Sequence, residues 1–258
     1  MYEKTGECSK ALSYYEKSLE ISQKTLPANH PDLANSYNNI GLVYKKMGEY
    51  SKALSYYEKS LEIKQKTFPA NHSSLATSYN NIGSVYDSMG EYLKALSYHE
   101  KALEIKQETL PANHPDLASS YNNIGSVYVT MSDYPKVVSY CERAHYIVEH
   151  CLPADHPDLG ISYNNIGSVY QTMGEYLKAL SYHEKALEIF QKTLPANHPN
   201  LAHLYGHIGM VFSKLGEHSK AVSYCERAFK ILEYSLPANH PHLQVYRDNL
   251  KYVKENRK

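Results

Sequence analysis

The sequence predicts an all-α protein, a solenoid of stacked antiparallel helix pairs, and three observations carry that prediction. A Leu-Pro-Ala-Asn-His string, or a near copy, recurs six times, with its prolines (Pro27, Pro69, Pro111, Pro153, Pro195 and Pro237) each 42 residues apart. Between these strings the apolar residues fall at three- and four-residue steps, the spacing of one helix face. A glycine or its substitute recurs at one fixed place (Gly48, Gly90, Ser132, Gly174, Gly216) and divides each interval into two helices. A beat of this length marks supersecondary units stacked on one another, not a single closed core.

The elements follow in chain order. Tyr2 and Gly6 align with Tyr44 and Gly48. The chain is therefore expected to open late in a first-type helix (A), and residues 1–33 to form a partial repeat. Its first full element is an orphan second-type helix (B) from about Ser9 to Thr25. In the next unit Pro31 sits in a first turn, where a missing N–H is tolerated. Asn29 or His30 is placed to cap that turn, and Asp32 favours the positive helix end. Helix A then runs through Leu33, Tyr37, Ile40, Gly41 and Tyr44 until Gly48 stops it. Helix B carries Ala53, Leu54, Tyr57, Leu61 and Ile63 on its apolar side and ends before Pro69.

The same frame gives repeats at 34–75, 76–117, 118–159, 160–201 and 202–243, then a capping helix at 244–258. The polar ending of that helix (Lys251, Lys254, Glu255, Arg257, Lys258) suits a terminal position. Ser132 in place of glycine is expected to make its corner less comfortable and to alter the helix angle slightly. The following Tyr134-Pro135 is acceptable in a first turn.

Composition removes several functional classes. Lys plus Arg and Asp plus Glu each total 27. That leaves no surplus of cations to displace counterions from nucleic acid or to hold an anionic membrane. No apolar run reaches the roughly 20 residues that span a bilayer, and the N-terminus has no signal-peptide apolar region. Cys8, Cys141, Cys151 and Cys225 show no paired spacing, which fits a reducing compartment and a cytoplasmic address.

Within the 42-residue frame, Tyr79, Ile82, Gly83, Tyr86, Gly90, Tyr92, Ala95, His99 and Ala102 follow one pattern of aromatic, small and apolar residues. That pattern resembles the tetratricopeptide repeat. Asn122-Asn123-Ile124-Gly125 and the Tyr-Cys-Glu-Arg-Ala strings at 140–144 and 224–228 are similar to the longer repeats of kinesin light chains. The resemblance implies a right-handed superhelix of antiparallel helix pairs, the tetratricopeptide type of α-solenoid. It also implies a concave groove, lined by A helices, that binds a partner peptide.

On that implication the candidate groove residues are Asn39, Asn81, Asn123 and Asn165, the asparagines just before the Ile of helix A. An amide offers both a donor and an acceptor, so it can pair with a peptide unit. Bonding to a neighbouring helix is the alternative role for these asparagines. One turn later come Leu42, Ser84, Ser126, Ser168 and Met210 on the same wall. In the fifth repeat Gly206-His207 replaces the Asn-Asn pair, which makes His207 a candidate at which specificity changes. Cations in the later turns are few (Lys45, Lys46 and Lys214), and Lys46 completes the candidate set. A neutral or mixed peptide is the expected ligand.

Once per repeat a histidine recurs in the loop (His30, His72, His114, His156, His198, His240). Zinc ligands must all lie about 2 Å from one ion, whereas packed helices sit roughly 8–10 Å apart. Helix capping is therefore expected of this series, and no metal. His99 and His183 alternate with Cys141 and Cys225 at one helix B position, where core packing is expected. The 26 tyrosines fall mostly at repeating places and are read as spacers between helices.

No nucleophile–base pair or glycine-rich phosphate loop appears. The sequence thus reads as a non-catalytic adaptor for a protein or peptide partner, without cofactor, nucleic acid or membrane. The alternative is the repeat region of a larger multidomain enzyme or nucleotide-dependent switch. Self-association through the uncovered N-terminal helix is a further expectation.

Overall fold

The structure is a computed structural model that describes residues 2–237 and 240–255. Arg257 and Lys258, expected in the polar ending, lie outside the described residues. Among the described residues the chain is entirely helical, with twelve α-helices and no strand. They fall into two compact units, Met1–Met131 and Ser132–Lys258. The first unit holds α1 (Tyr2–Thr25), α2 (Pro31–Lys46), α3 (Tyr50–Thr67), α4 (Ser73–Ser88), α5 (Tyr92–Thr109) and α6 (Pro115–Thr130). The second holds α7 (Tyr134–Cys151), α8 (Pro157–Thr172), α9 (Tyr176–Thr193), α10 (Pro199–Lys214), α11 (His218–Ser235) and α12 (Pro241–Glu255). Even-numbered helices are the A helices. In the first unit α2 packs on α3 and α4 on α5, and in the second α8 packs on α9 and α10 on α11. Each pair also meets its sequence neighbours within its unit, and α12 lies on both α11 and α10.

Local chemistry sets the helix boundaries. The loop histidine is the cap: Nδ1 of His30, His72, His114, His156 and His198 each accepts the backbone N–H two residues on, at 3.1–3.2 Å. Asn29, the other capping candidate, is not the N-cap residue. Helices α2, α4, α6, α8 and α10 then turn back through a left-handed residue, with φ of 79° at Gly48 and 78° at Gly174. Ser132 takes the same region at φ 58°. An L side chain there costs roughly 1–2 kcal/mol, so the discomfort expected at this corner has a backbone cause.

The opening helix departs from expectation. α1 starts at Tyr2 and runs through Gly6, where the alignment placed a corner. Ile21 of α1 is 65% exposed, whereas its equivalent Ile63 of α3, which has α2 before it, is 9% exposed.

Within each pair the helices meet at a glycine. A Cβ on Gly41 would come within 2.9 Å of the Tyr57 ring, and one on Gly167 within 2.7 Å of His183. The position facing that glycine is occupied by Tyr57, His99, His183 and Cys225, all buried, as expected of core residues. Cys141, at the same position in α7, is half-buried.

Between successive pairs the contact changes character along the chain. Lys64, 5% exposed, donates from Nζ to Ser78 Oγ at 2.9 Å, and Lys106 does the same to Ser120 at 3.0 Å. Burial lowers both ammonium pKa values. In the second unit the α7–α8 contact uses His145 Nδ1 and Ser162 Oγ, 3.1 Å apart. The next contact is apolar, with Phe190 sharing a core with Leu204 and Ile208. Gly160 leaves the room for it, because a Cβ there would lie 2.4 Å from the Phe190 ring.

Candidate binding face of the A helices

Residues four, seven and eleven positions apart share one face of a helix. In the first unit the open stripe of α2 is Asn35, Asn39, Leu42 and Lys46. That of α4 is Thr77, Asn81, Ser84 and Ser88, and that of α6 is Ser119, Asn123, Ser126 and Thr130. Asn39, Asn81 and Ser84 are half-buried, whereas Asn123, Ser126 and Lys46 are exposed.

The stripe has internal bonds. Asn81 donates from Nδ2 to Asn38 Oδ1 at 2.8 Å, tying α4 to α2, so part of its amide is engaged by a neighbouring helix. Asn80, one residue earlier, turns the other way and accepts from the His99 ring at 3.0 Å. Lys45 donates to Ser84 Oγ. Burial lowers the Lys45 pKa while Asp87 opposes the shift, and burial raises the Asp87 pKa with Lys45 opposing in turn. The His99 ring is pushed down to about 4, first by burial and then by Lys45. It is neutral near pH 7.

In the second unit the stripe of α8 is Ile161, Asn165, Ser168 and Thr172, and that of α10 is His203, His207, Met210 and Lys214. Asn165 is exposed. Ser168 spends its hydroxyl proton on Asn164 O of its own helix, at 2.9 Å. His207 stacks on His183 with ring centroids 5.4 Å apart. Burial lowers both rings, His183 to about 3, with His207 adding to the shift at His183 and His203 to that at His207.

The Gly206-His207 break has a packing cause that sequence reasoning missed. Gly206 is buried, and a Cβ there would meet Tyr246 of α12 at 2.5 Å. The Tyr246 hydroxyl lies 2.8 Å from His203 Nδ1. The glycine is thus a seat for α12. On α12 itself Val245, Asn249 and Tyr252 continue the same positions. Asn249 was also missed, although it stands 42 residues after His207 and the repeat register alone would have found it.

The tyrosines are framework in both units. Tyr44 stacks on Tyr56 at 5.4 Å with Lys59 over the Tyr56 ring, and Tyr170 stacks on Tyr182 with Lys185 over it. Among the described residues no group of three or more His, Cys, Asp or Glu is placed to hold a metal ion. No described helix is long and apolar enough to cross a membrane.

This arrangement of paired helices, glycine corners and small-residue seats is that of a repeat protein. The tetratricopeptide repeat family matches residues 1–66, 74–150, 127–192 and 158–233, and the chain belongs to that family. No curated protein matches the sequence. Solved structures do match the fold. BtubC (BKLC) from P. vanneervenii superposes with a TM-score of 0.76 at 22% identity, over 91% of this chain and 94% of its own. The nearly identical repeats of a Podosopora anserina protein assigned as a kinesin light chain give 0.71 at 22% identity, over 81% and 99%. Aspartyl phosphate phosphatase F from Bacillus subtilis gives 0.72 at 20% identity, over 92% of this chain and 58% of its own.

Proposed function

We propose that the chain is a non-catalytic scaffold that holds an extended segment of a partner protein along the open face that the A helices present within a unit. One observation carries this reading: an asparagine recurs at one register of the open stripe, Asn39 and Asn123 in the first unit and Asn165 and Asn249 in the second. Packed helices lie roughly 8–10 Å apart, and an extended peptide advances about 3.3 Å per residue. Equivalent positions on neighbouring A helices therefore suit every third peptide unit, and an amide at such a position can serve one N–H and one C=O. Ser84, Ser126, Ser168 and Lys46 extend the face. With Lys45 and Asp87 opposed in charge, a neutral or mixed peptide suits it better than a strongly acidic one. None of the four cysteines is joined in a disulfide, which favours a cytoplasmic setting. The open side of α1, where Tyr14 and Ile21 are exposed, is proposed in addition as a self-association surface.

The test is a peptide selected on the wild-type chain from a displayed random library. Replacing Asn39, Asn123 and Asn165 together by Ala should weaken its binding at least tenfold with helicity unchanged. Binding at wild-type strength would remove the asparagine face from the proposal. Asn81 is left intact because its bond to Asn38 also ties two helices together.

A further inference from the structure

Tyr205 and His207 stand two positions apart on α10 and so point to nearly opposite sides of that helix. On the Tyr205 side, α10, α11 and the loop after α9 enclose a cavity of about 460 Å³. Its walls are apolar in Leu194, Leu201 and Ile231, and Arg227 and Lys230 are the charged groups lining it. It shares Ala196, Lys230 and Ile231 with an adjoining cavity of about 750 Å³, bordered by Asn197, Glu233 and Tyr234. Tyr234 is 84% exposed.

Of the two cations Arg227 is held in place, whereas Lys230 is exposed, with Glu233 bordering the adjoining cavity. The Arg227 guanidinium lies 4.0 Å from the centre of the Tyr205 ring and donates to its hydroxyl. Stacking fixes the fork while leaving donors over, since a guanidinium carries five. Glu226, one turn before Lys230, is held by Lys254 at 2.8 Å. Among the described residues neither Arg227 nor Lys230 makes an ion pair.

The first unit supplies an internal contrast. The same frame there forms a cavity of about 600 Å³ with Ala70, Asn71, Tyr79 and Ile105 in equivalent places. Its charged groups are Lys101, Glu104 and Glu108, with Glu104 standing where the second unit has Lys230 and Glu108 where it has Tyr234. One frame thus gives two acids and one cation in the first unit, and in the second two cations with a single acid, Glu233, at the adjoining cavity. A stacked arginine with a lysine beside it, above an apolar floor, suits one ligand chemistry, a carboxylate attached to an apolar body. An arginine fork is well matched to a carboxylate.

We propose that this cavity of the second unit binds an organic carboxylate, with its anionic end between Arg227 and Lys230 and its apolar body against Leu194, Leu201 and Ile231. Two sources carry that chemistry, a free aromatic acid and the C-terminus of a peptide ending in an apolar residue. Calorimetry with the full chain separates them, using 3-phenylpropionate, a hexapeptide ending in Phe with a free carboxylate, and the same hexapeptide amidated. The free-acid forms should bind and the amide at least tenfold more weakly. Tighter binding of the peptide acid assigns the site to a chain terminus, and equal binding assigns it to a small acid. The Lys230→Glu, Tyr234→Glu double variant alters two exposed side chains toward the arrangement of the first unit, and it should abolish binding. The Asn39, Asn123, Asn165 triple variant should leave binding unchanged. Equal binding of acid and amide, no binding of either acid, or retention by the double variant would overturn the proposal.

Discussion

His99 and His183 are neutral rings set against glycines, and acid should find them first. Their folded pKa values, about 4 and about 3, lie below the ordinary histidine value. Between those values and about 6.5 the unfolded chain binds protons that the folded chain does not, so stability falls as pH falls through that window. Each ring fully kept neutral would cost about 2 kcal/mol by pH 5. Thermal unfolding of His99→Cys and His183→Cys should therefore show a flatter dependence between pH 7 and 5 than the wild type. Cysteine is the chain's own residue at the equivalent Cys225. An unchanged slope in both variants would place the acid sensitivity elsewhere. The core role of these histidines was legible in the sequence from their alternation with cysteine. Burial of Lys64 was not, because its partner Ser78 is 14 residues away and a lysine in a helix ordinarily reads as surface.

At the scale of elements, helix starts were the most legible feature, since a proline and a capping side chain are local chemistry. Replacing His114 by Ala should lower stability by about 1 kcal/mol, and replacing it by Ser should recover most of the loss. Urea denaturation measures both; equal stability of the Ala variant and the wild type would show that the ring bond contributes nothing. The helix least well anticipated was α1. Its sequence repeats the corner signal at Gly6, but a corner is a relation between two helices and the signal alone does not make one. The Gly206-His207 break has a second cause that its local sequence does not show. It looks like a change in the binding face, and its glycine is a space cut for Tyr246, which lies 40 residues further on.

For the molecule as a whole, the 42-residue register made the fold legible, since every unit repeats the same caps, corners and seats. The candidate face was legible in its positions and not in its bonding. Nothing in an Asn-Asn string tells which asparagine will turn to a histidine behind it, as Asn80 does, and which to the next helix, as Asn81 does. The open side of α1 is where two copies of the chain would meet. Sedimentation should show the wild-type mass rising with concentration and the Ile21→Asp variant remaining monomeric. A wild-type monomer at every concentration would end that idea.

The contacts between successive helix pairs bear on how such a chain changes over generations. Lys64 with Ser78 and Lys106 with Ser120 are interchangeable couplings, so a period lost or gained between them rejoins like with like. Phe190 with Leu204 is a different key and lock. A crossover that joined α5 to α10 would set the Lys106 ammonium against Leu204, with no hydroxyl to receive it. The stretch between the two lysine–serine joints can therefore be repeated or removed without a mismatch, while the unlike joints of the second unit hold its helix pairs to one order.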